Sequence, residues 1–310
     1  MKVQGESVEQ EVKNILVLGN GFDLYHGFRT RYTDFINACI QNESDRINSN
    51  SFVKYFKEHQ ENDNWIDFEY EIENIIRCFV KIIGSVKYIS INDRSFSNVR
   101  AKLSLKDKVI LKHFSSYITS FSDHCVIQEK YFNSEGFNKR RLLKDFKEEL
   151  DELILGLEHY LQKSVIIKNT KVRSPQLMSI CFDQVINFNY THTYSLYDIP
   201  VEQVHFVHGR LRDTTIESNN NMVLGIQDID CGLDFIYFKK FFQRIQKHIP
   251  QINYNYLQQH KENEVPIFHV HFFGHSLSKT DEDIIERLFN LAHEVTIFYL
   301  DQFDYEQKNN

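Results

Sequence analysis

Proline and glycine are scarce in this chain, 4 and 11 among 310 residues. So few breaks leave little room for exposed linkers and favour long helices. Paired cysteines are missing as well. Cys39, Cys78, Cys125, Cys181 and Cys231 stand far apart with no CxxC among them, which speaks against a zinc ribbon or a thioredoxin-type centre. Lone thiols of this kind are expected to be reduced and mostly buried, as in a cytosolic protein. No run of about 18 apolar residues occurs, so no membrane span is expected. The opening Met1-Lys2-Val3-Gln4-Gly5-Glu6 is polar and no apolar stretch follows it. No signal peptide is therefore expected, and the expected location is cytoplasmic. Positive charge is also in deficit: 36 Lys and Arg face 43 Asp and Glu, a net charge of −7. That balance argues against nucleic acid and anionic membranes as partners.

What the chain has in quantity is aromatic surface, 26 Phe and 16 Tyr, within a 42% hydrophobic composition. Aromatics bury much area each, so a large packed core is expected. The length suits one large α/β domain or two ordinary ones, and we read it as a single domain, 1–310.

The most informative stretch is Ile15-Leu16-Val17-Leu18-Gly19-Asn20-Gly21-Phe22-Asp23-Leu24. An apolar strand runs into a glycine turn that opens toward a helix, which is how a parallel-sheet protein builds a first ligand site. Gly19 and Gly21 fit the first two glycines of the dinucleotide fingerprint, but Leu24 stands in place of the third. Asp23 would repel a phosphate there, yet it could accept hydrogen bonds from ribose hydroxyls. Two readings stay open: a nucleotide site, or a structural turn in which Asp23 caps the following helix.

Thr30 is expected to cap a helix carrying Tyr32, Phe35, Ile36, Cys39 and Ile40. From 52 to 165 apolar residues recur at three- and four-residue steps: Phe68 to Ile83, then Leu111, Phe114, Tyr117, Ile118 and Phe121, then Leu143 to Leu161. This predicts a large helical insertion after the first strand–helix unit. Lys139, Arg140, Arg141 and Lys144 read best as a solvated helix start. From 178 onward the pattern turns to strands, at 184–189, 204–209, 221–226, 266–274 and 295–300, with helices near 234–247 and 280–292. The fold class expected is α/β, a Rossmann-like and mostly parallel sheet.

In such a sheet ligands bind beyond the carboxyl ends of the strands. Four of these ends are polar: Gly19 to Asp23, Asn187 to Thr193, His208-Gly209-Arg210, and Gly274 to Asp281. Together they predict a polar ligand site on one edge. Asn189 could hold a water or a ribose hydroxyl and His208 could take a proton from either, or both could be satisfied structural residues. Gly209 would let a ligand come close. Gly274-His275-Ser276-Leu277-Ser278 resembles a nucleophile elbow, with only His293 downstream to serve Ser276. Thr280 and Asp283 fit a capping box with Asp281 in the first turn, and Ser276 could still reach a phosphate. His205, His208, His269, His271 and His275 lack the carboxylate or cysteine spacing of a zinc site, so no metal is expected. Asp67 and Glu69, after Trp65, favour a helix start or else reach the site.

The run Gly19-Asn20-Gly21-Phe22-Asp23-Leu24 with His26-Gly27, Thr30, Tyr32 and Asp34-Phe35 resembles the AbiH family of bacteriophage abortive-infection proteins. So do Trp65-x-Asp67-x-Glu69, Phe188-Asn189-Tyr190-Thr191, Val207-His208-Gly209 and Gly274-His275-Ser276-Leu277-x-x-x-Asp281, in the same order, over about 14–303. The resemblance implies a role in bacterial defence against phage. The order of motifs is also similar to sirtuin-like NAD-hydrolysing defence domains, although Thr191 stands where those usually carry Asp. That similarity implies hydrolysis of NAD or a related nucleotide at the nicotinamide–ribose bond. Asn189 and His208 would be catalytic, with Asp23 stabilising the charged ribose. Gly19, Asn20, Gly21, Phe22, Gly209, Ser276 and Asp281 would line the nucleotide. The alternatives are a nucleotide sensor without turnover and a nucleic-acid-cleaving toxin. A phage-derived trigger is expected, and a homo-oligomer is open.

Overall fold

The computed structural model describes residues 12–42, 46–60, 67–86, 98–122, 124–167, 170, 173–213, 217, 219–227, 230–252, 267–277 and 281–299. Trp65, Ser278, Thr280 and the tail from Asp301, which figure in the sequence reading, lie outside these residues. The chain forms two compact units. The first comprises Met1–Thr30, Ser164–Asn221 and His248–Asn310, and the second Arg31–Lys163 and Met222–Lys247.

The first unit holds a five-stranded sheet of β1 (Val12–Leu18), β2 (Gln184–Asn187), β3 (Val204–Phe206), β4 (Ile267–Phe273) and β5 (Glu294–Phe298). Its order is β5-β4-β1-β2-β3, and every pairing is parallel. The α/β expectation with a parallel sheet is therefore met. β1 is central because it is apolar on both faces. Ile15 and Val17 pack with Ile186, Val270, Phe272 and the helix residues Ile284, Ile285 and Leu288. Leu16 and Leu18 pack on the other face with Phe22, Leu177, Val185 and Phe273. Between β1 and β4 the strand order reverses direction, and that is where an open α/β sheet forms its crevice.

The expected strand at 221–226 is not part of this sheet. From Met222 on it lies in the second unit, where Ile226 makes a single bridge to Lys239. The Gln243 side chain supplies what a neighbouring strand would have supplied: Nε2 donates to the Leu224 carbonyl at 2.9 Å, and Oε1 accepts the Leu224 N–H at 3.1 Å. A buried apolar run looks the same in either setting. The expected final helix is Glu282–Leu291.

The second unit is built on helices Tyr32–Gln41, Ser51–Gln60, Phe68–Ser85, Leu105–His113 and Lys139–Ser164. Phe146 stacks on Phe79 at 4.4 Å and on Phe52 at 5.4 Å, and meets Phe238 at 4.9 Å. The periodic aromatics of the sequence thus meet in one core. One expected helix ends early. Leu105–His113 stops before Phe114, and Ile118–Ser120 pairs antiparallel with Cys125–Ile127, which also pairs with Asn98–Val99. Strands of two or three residues are too short to show alternation. Thr30 does not cap the first of these helices. Its hydroxyl donates to Asn20 Oδ1 at 2.5 Å, while the Arg31 N–H is taken by Asp34.

Asp67 caps Phe68–Ser85, accepting the Glu69 and Tyr70 N–H groups at 3.0 and 3.1 Å. Glu69 is nearly buried against Lys240, 2.6 Å from its Nζ. Of the two readings of these acids, a helix start therefore accounts for Asp67. Asp67→Ala should destabilise this unit by about 1 kcal/mol, read as a lower urea midpoint at unchanged slope. Lys139 and Lys144, part of the basic cluster, pair with Asp234 and Glu148 on exposed surface. Four cysteines are buried, and Cys181 is exposed. Among the described residues no helix is long and apolar enough to cross a membrane.

Candidate functional site

The four polar strand ends named from the sequence converge at the carboxyl edge of the sheet. After β1 the chain passes Gly19 into a short helix, Asn20–Tyr25. The Gly19 and Gly21 N–H groups donate to the carbonyls of Phe273 and Gly274, at 3.0 and 2.8 Å. Pairing between β1 and β4 thus continues into their loops. The glycines are required by this contact: a Cβ on Gly19 would lie 2.4 Å from the His275 Cα, and one on Gly21 2.6 Å from the Gly274 Cα. Their small size serves the meeting of two backbones, and these two N–H groups are engaged in it.

The loop after β2 is tied to the same place. Asn189 Nδ2 donates to the Gly19 carbonyl at 2.8 Å, and its backbone N–H donates to Asn187 Oδ1. Asn187 Nδ2 in turn donates to the Thr191 carbonyl. The Thr191 hydroxyl lies 2.7 and 2.9 Å from the two carboxylate oxygens of Asp23, and Thr193 donates to Thr191. Asp23, Asn187, Thr191 and Thr193 are all buried. Asp23, expected on the ribose, holds Thr191 instead. Phe22, expected to line a nucleotide, is fully buried against Phe273 and Tyr197. Asn20 is engaged with Thr30. His26 fastens the short helix, with Nδ1 at 2.6 Å from the Phe22 carbonyl and Nε2 at 2.9 Å from the Tyr197 hydroxyl.

Burial pushes the Asp23 carboxyl up from 3.8 to about 6, and the hydroxyls of Thr193 and Thr191 only partly oppose it. A carboxyl whose folded pKa is raised favours the folded state while protonated. Its contribution is fully present below pH 3.8 and is lost as the pH rises through about 6. Asp23→Asn keeps an acceptor for Thr191 and removes the titration. The stability of Asp23→Asn relative to the parent should therefore rise by about 3 kcal/mol between the acid and alkaline ends of that window. Urea midpoints across the window test this, and a constant difference would contradict it.

The loops after β3 and β4 meet through His208 and Asp281. His208 Nε2 is 3.0 Å from Asp281 Oδ1, with both side chains almost wholly enclosed. Asp281 was expected to line a nucleotide; the structure places its carboxylate on the histidine. The ring of Phe188 joins them, 5.7 Å from His208 and 4.3 Å from His275. Gly209 has φ +75°, and a Cβ there would lie 2.1 Å from the Asn221 carbonyl, so that turn too is closed by backbone. Ser276 is exposed.

The nucleophile-elbow reading fails on position. His293 Nδ1 accepts the N–H of Phe268, at the amino end of β4, a strand length or roughly 20 Å from the loop that carries Ser276. His275 Nδ1 accepts the Leu277 N–H at 2.9 Å. His269 and His271 also sit low on β4, near Glu294 and Asn14. Among the described residues no three His, Cys, Asp or Glu side chains are grouped to hold a metal.

From the sequence, Asn187, Thr191 and Thr193 read only as part of a polar strand end, without roles of their own. The available signal was a run of hydrogen-bonding residues directly after a fully apolar strand, where each side chain needs a partner.

A family model described as bacteriophage abortive infection AbiH matches residues 15–301. No curated protein and no solved structure matches the chain.

Proposed function

The chain belongs to the AbiH family of bacteriophage abortive-infection proteins, with the bacterial anti-phage role that this carries, and on that premise we propose that it hydrolyses NAD or a related nucleotide at the nicotinamide–ribose bond. The observation that carries the reading is the enclosed His208–Asp281 pair at the carboxyl edge of the sheet. The carboxylate holds Nε2 as the N–H of the ring, so Nδ1 is the proton-accepting atom. In this reading Asn189, anchored through Nδ2 to Gly19, would use its amide oxygen to hold a water or a ribose hydroxyl.

The chemistry asks for little more. The C1′–N bond breaks with its electron pair passing to the pyridinium nitrogen, so nicotinamide leaves neutral and needs no general acid. Water forms the new C1′–O bond and gives its proton to His208. The transition state carries positive charge on the ribose, as in glycoside cleavage. In this reading Asp23 acts through the Thr191 hydroxyl, which its carboxylate holds at 2.7 Å. Ser276, exposed on the loop after β4, would meet a phosphate.

The test is NAD content in phage-infected cells expressing the protein, with His208→Ala and Asn189→Ala as controls. NAD should collapse with the parent chain alone. Growth arrest at steady NAD would overturn hydrolysis and favour a nucleotide sensor, and cleaved tRNA or genomic DNA would favour a nucleic-acid toxin.

A further inference from the structure

Three separate pieces of chain in the second unit wall a cavity. They are the carboxyl-terminal part of helix Phe68–Ser85, the hairpin that pairs Phe132–Asn133 with Gly136–Phe137, and the stretch 230–235. The cavity holds about 620 Å³, within the roughly 300–1,000 Å³ of small-molecule sites. None of its lining residues belongs to the site at the sheet edge.

Its lining has an apolar part and an acidic part. Val80, Ile83, Phe132, Phe137 and Phe235 make the first. Phe132 and Phe137 are direct partners in the hairpin, with ring centroids 5.6 Å apart. Such surface favours an apolar, ring-bearing occupant over water. Among the described lining residues the cation is Lys139, and Asp234 already holds it at 2.7 Å. That leaves Glu135 and Asp230, neither of which is in an ion pair among the described residues. Glu135 sits on the hairpin turn, where its backbone N–H donates to Asn133 Oδ1 at 3.0 Å. Two carboxylates without a balancing charge favour a cation and disfavour an anion.

Gly84 is an independent observation. It lies on the cavity wall inside helix Phe68–Ser85, without a positive φ, and a Cβ there meets nothing within 4 Å. Glycine weakens a helix relative to alanine, and here no turn or close approach requires it. Its effect is to leave open the space that a side chain would take.

We propose that this cavity binds a small organic cation, with its apolar rings against Phe132, Phe137 and Phe235 and its positive charge balanced by Glu135 and Asp230.

Equilibrium binding of three acridine probes of similar shape to the full chain tests this: proflavine, a cation; acridine, neutral; and acridine carboxylate, an anion. Proflavine should bind saturably and at least about tenfold tighter than acridine, with the carboxylate weakest. The double variant Glu135→Gln/Asp230→Asn should bring proflavine down to about the affinity of acridine and leave acridine unchanged. Glu148→Gln, which removes an acid of the same unit paired with Lys144 outside the cavity, should change nothing. Gly84→Phe should weaken proflavine and acridine alike, at least about tenfold, because its ring takes up the space they need. Circular dichroism and urea midpoints check that Gly84→Phe is folded, and the double variant, at two exposed residues, decides the matter if it is not. No saturable binding, a carboxylate that binds as tightly as proflavine, or a proflavine affinity indifferent to the double variant would each overturn the proposal.

Discussion

Gly274→Ala is expected to leave little folded protein. Gly274 has φ +65°, where a side chain costs about 1–2 kcal/mol. Steric overlap costs more. A Cβ there would lie 2.2 Å from the Phe22 nitrogen and 2.4 Å from the Gly21 carbonyl carbon. Both are backbone atoms, so no rotamer relieves the clash. The loops after β1 and β4 must separate, and the Gly21 N–H to Gly274 hydrogen bond goes with them. The total is about 5 kcal/mol or more, at the level where single substitutions unfold marginal domains. Gly84→Ala is the control, because a Cβ there meets nothing within 4 Å. It lies inside helix Phe68–Ser85, so it should stabilise by up to about 1 kcal/mol. Yield and urea midpoints decide. A Gly274→Ala protein with the parent midpoint would mean that the two loops do not approach as closely as described.

The second large effect concerns rate. If NAD is hydrolysed as proposed, His208→Ala should lower kcat/KM about 10³-fold, within the range of a lost general base. Asp281→Ala keeps the ring and removes what orients it, so a loss of about 10²-fold is expected from misplacement. Asp281→Asn can still accept from Nε2 and should lie between Asp281→Ala and the parent. The double variant His208→Ala/Asp281→Ala should be no slower than His208→Ala, because Asp281 acts through the histidine. Additive losses would show that Asp281 works on substrate directly. Far-ultraviolet circular dichroism and urea midpoints separate these effects from unfolding.

Much of this protein could be read along the chain. The apolar run of β1 announced a strand buried on both faces. The polar residues after four strands located the edge at which the loops gather, and the motifs around Gly19, Asn189, His208 and Gly274 carried the family. These are local properties: burial leaves a periodic apolar pattern over a few residues, and turns need particular residue types at fixed places. The short strands around Ile118 and Cys125 escaped because too few residues show the period. The stretch 221–226 misled because its partner is a side chain, Gln243, rather than a strand.

By itself, then, the sequence determined the α/β class, the strands and helices that make it, the polar edge and the family. Only the tertiary structure decided what the polar residues do there. It set Gly19 and Gly21 against Gly274, closed Asp23 onto Thr191, and brought Asp281 to His208. Those partners come from different loops. Which loops meet is fixed by the strand order β5-β4-β1-β2-β3, and strand order is a consequence of how whole faces pack, which no local pattern records.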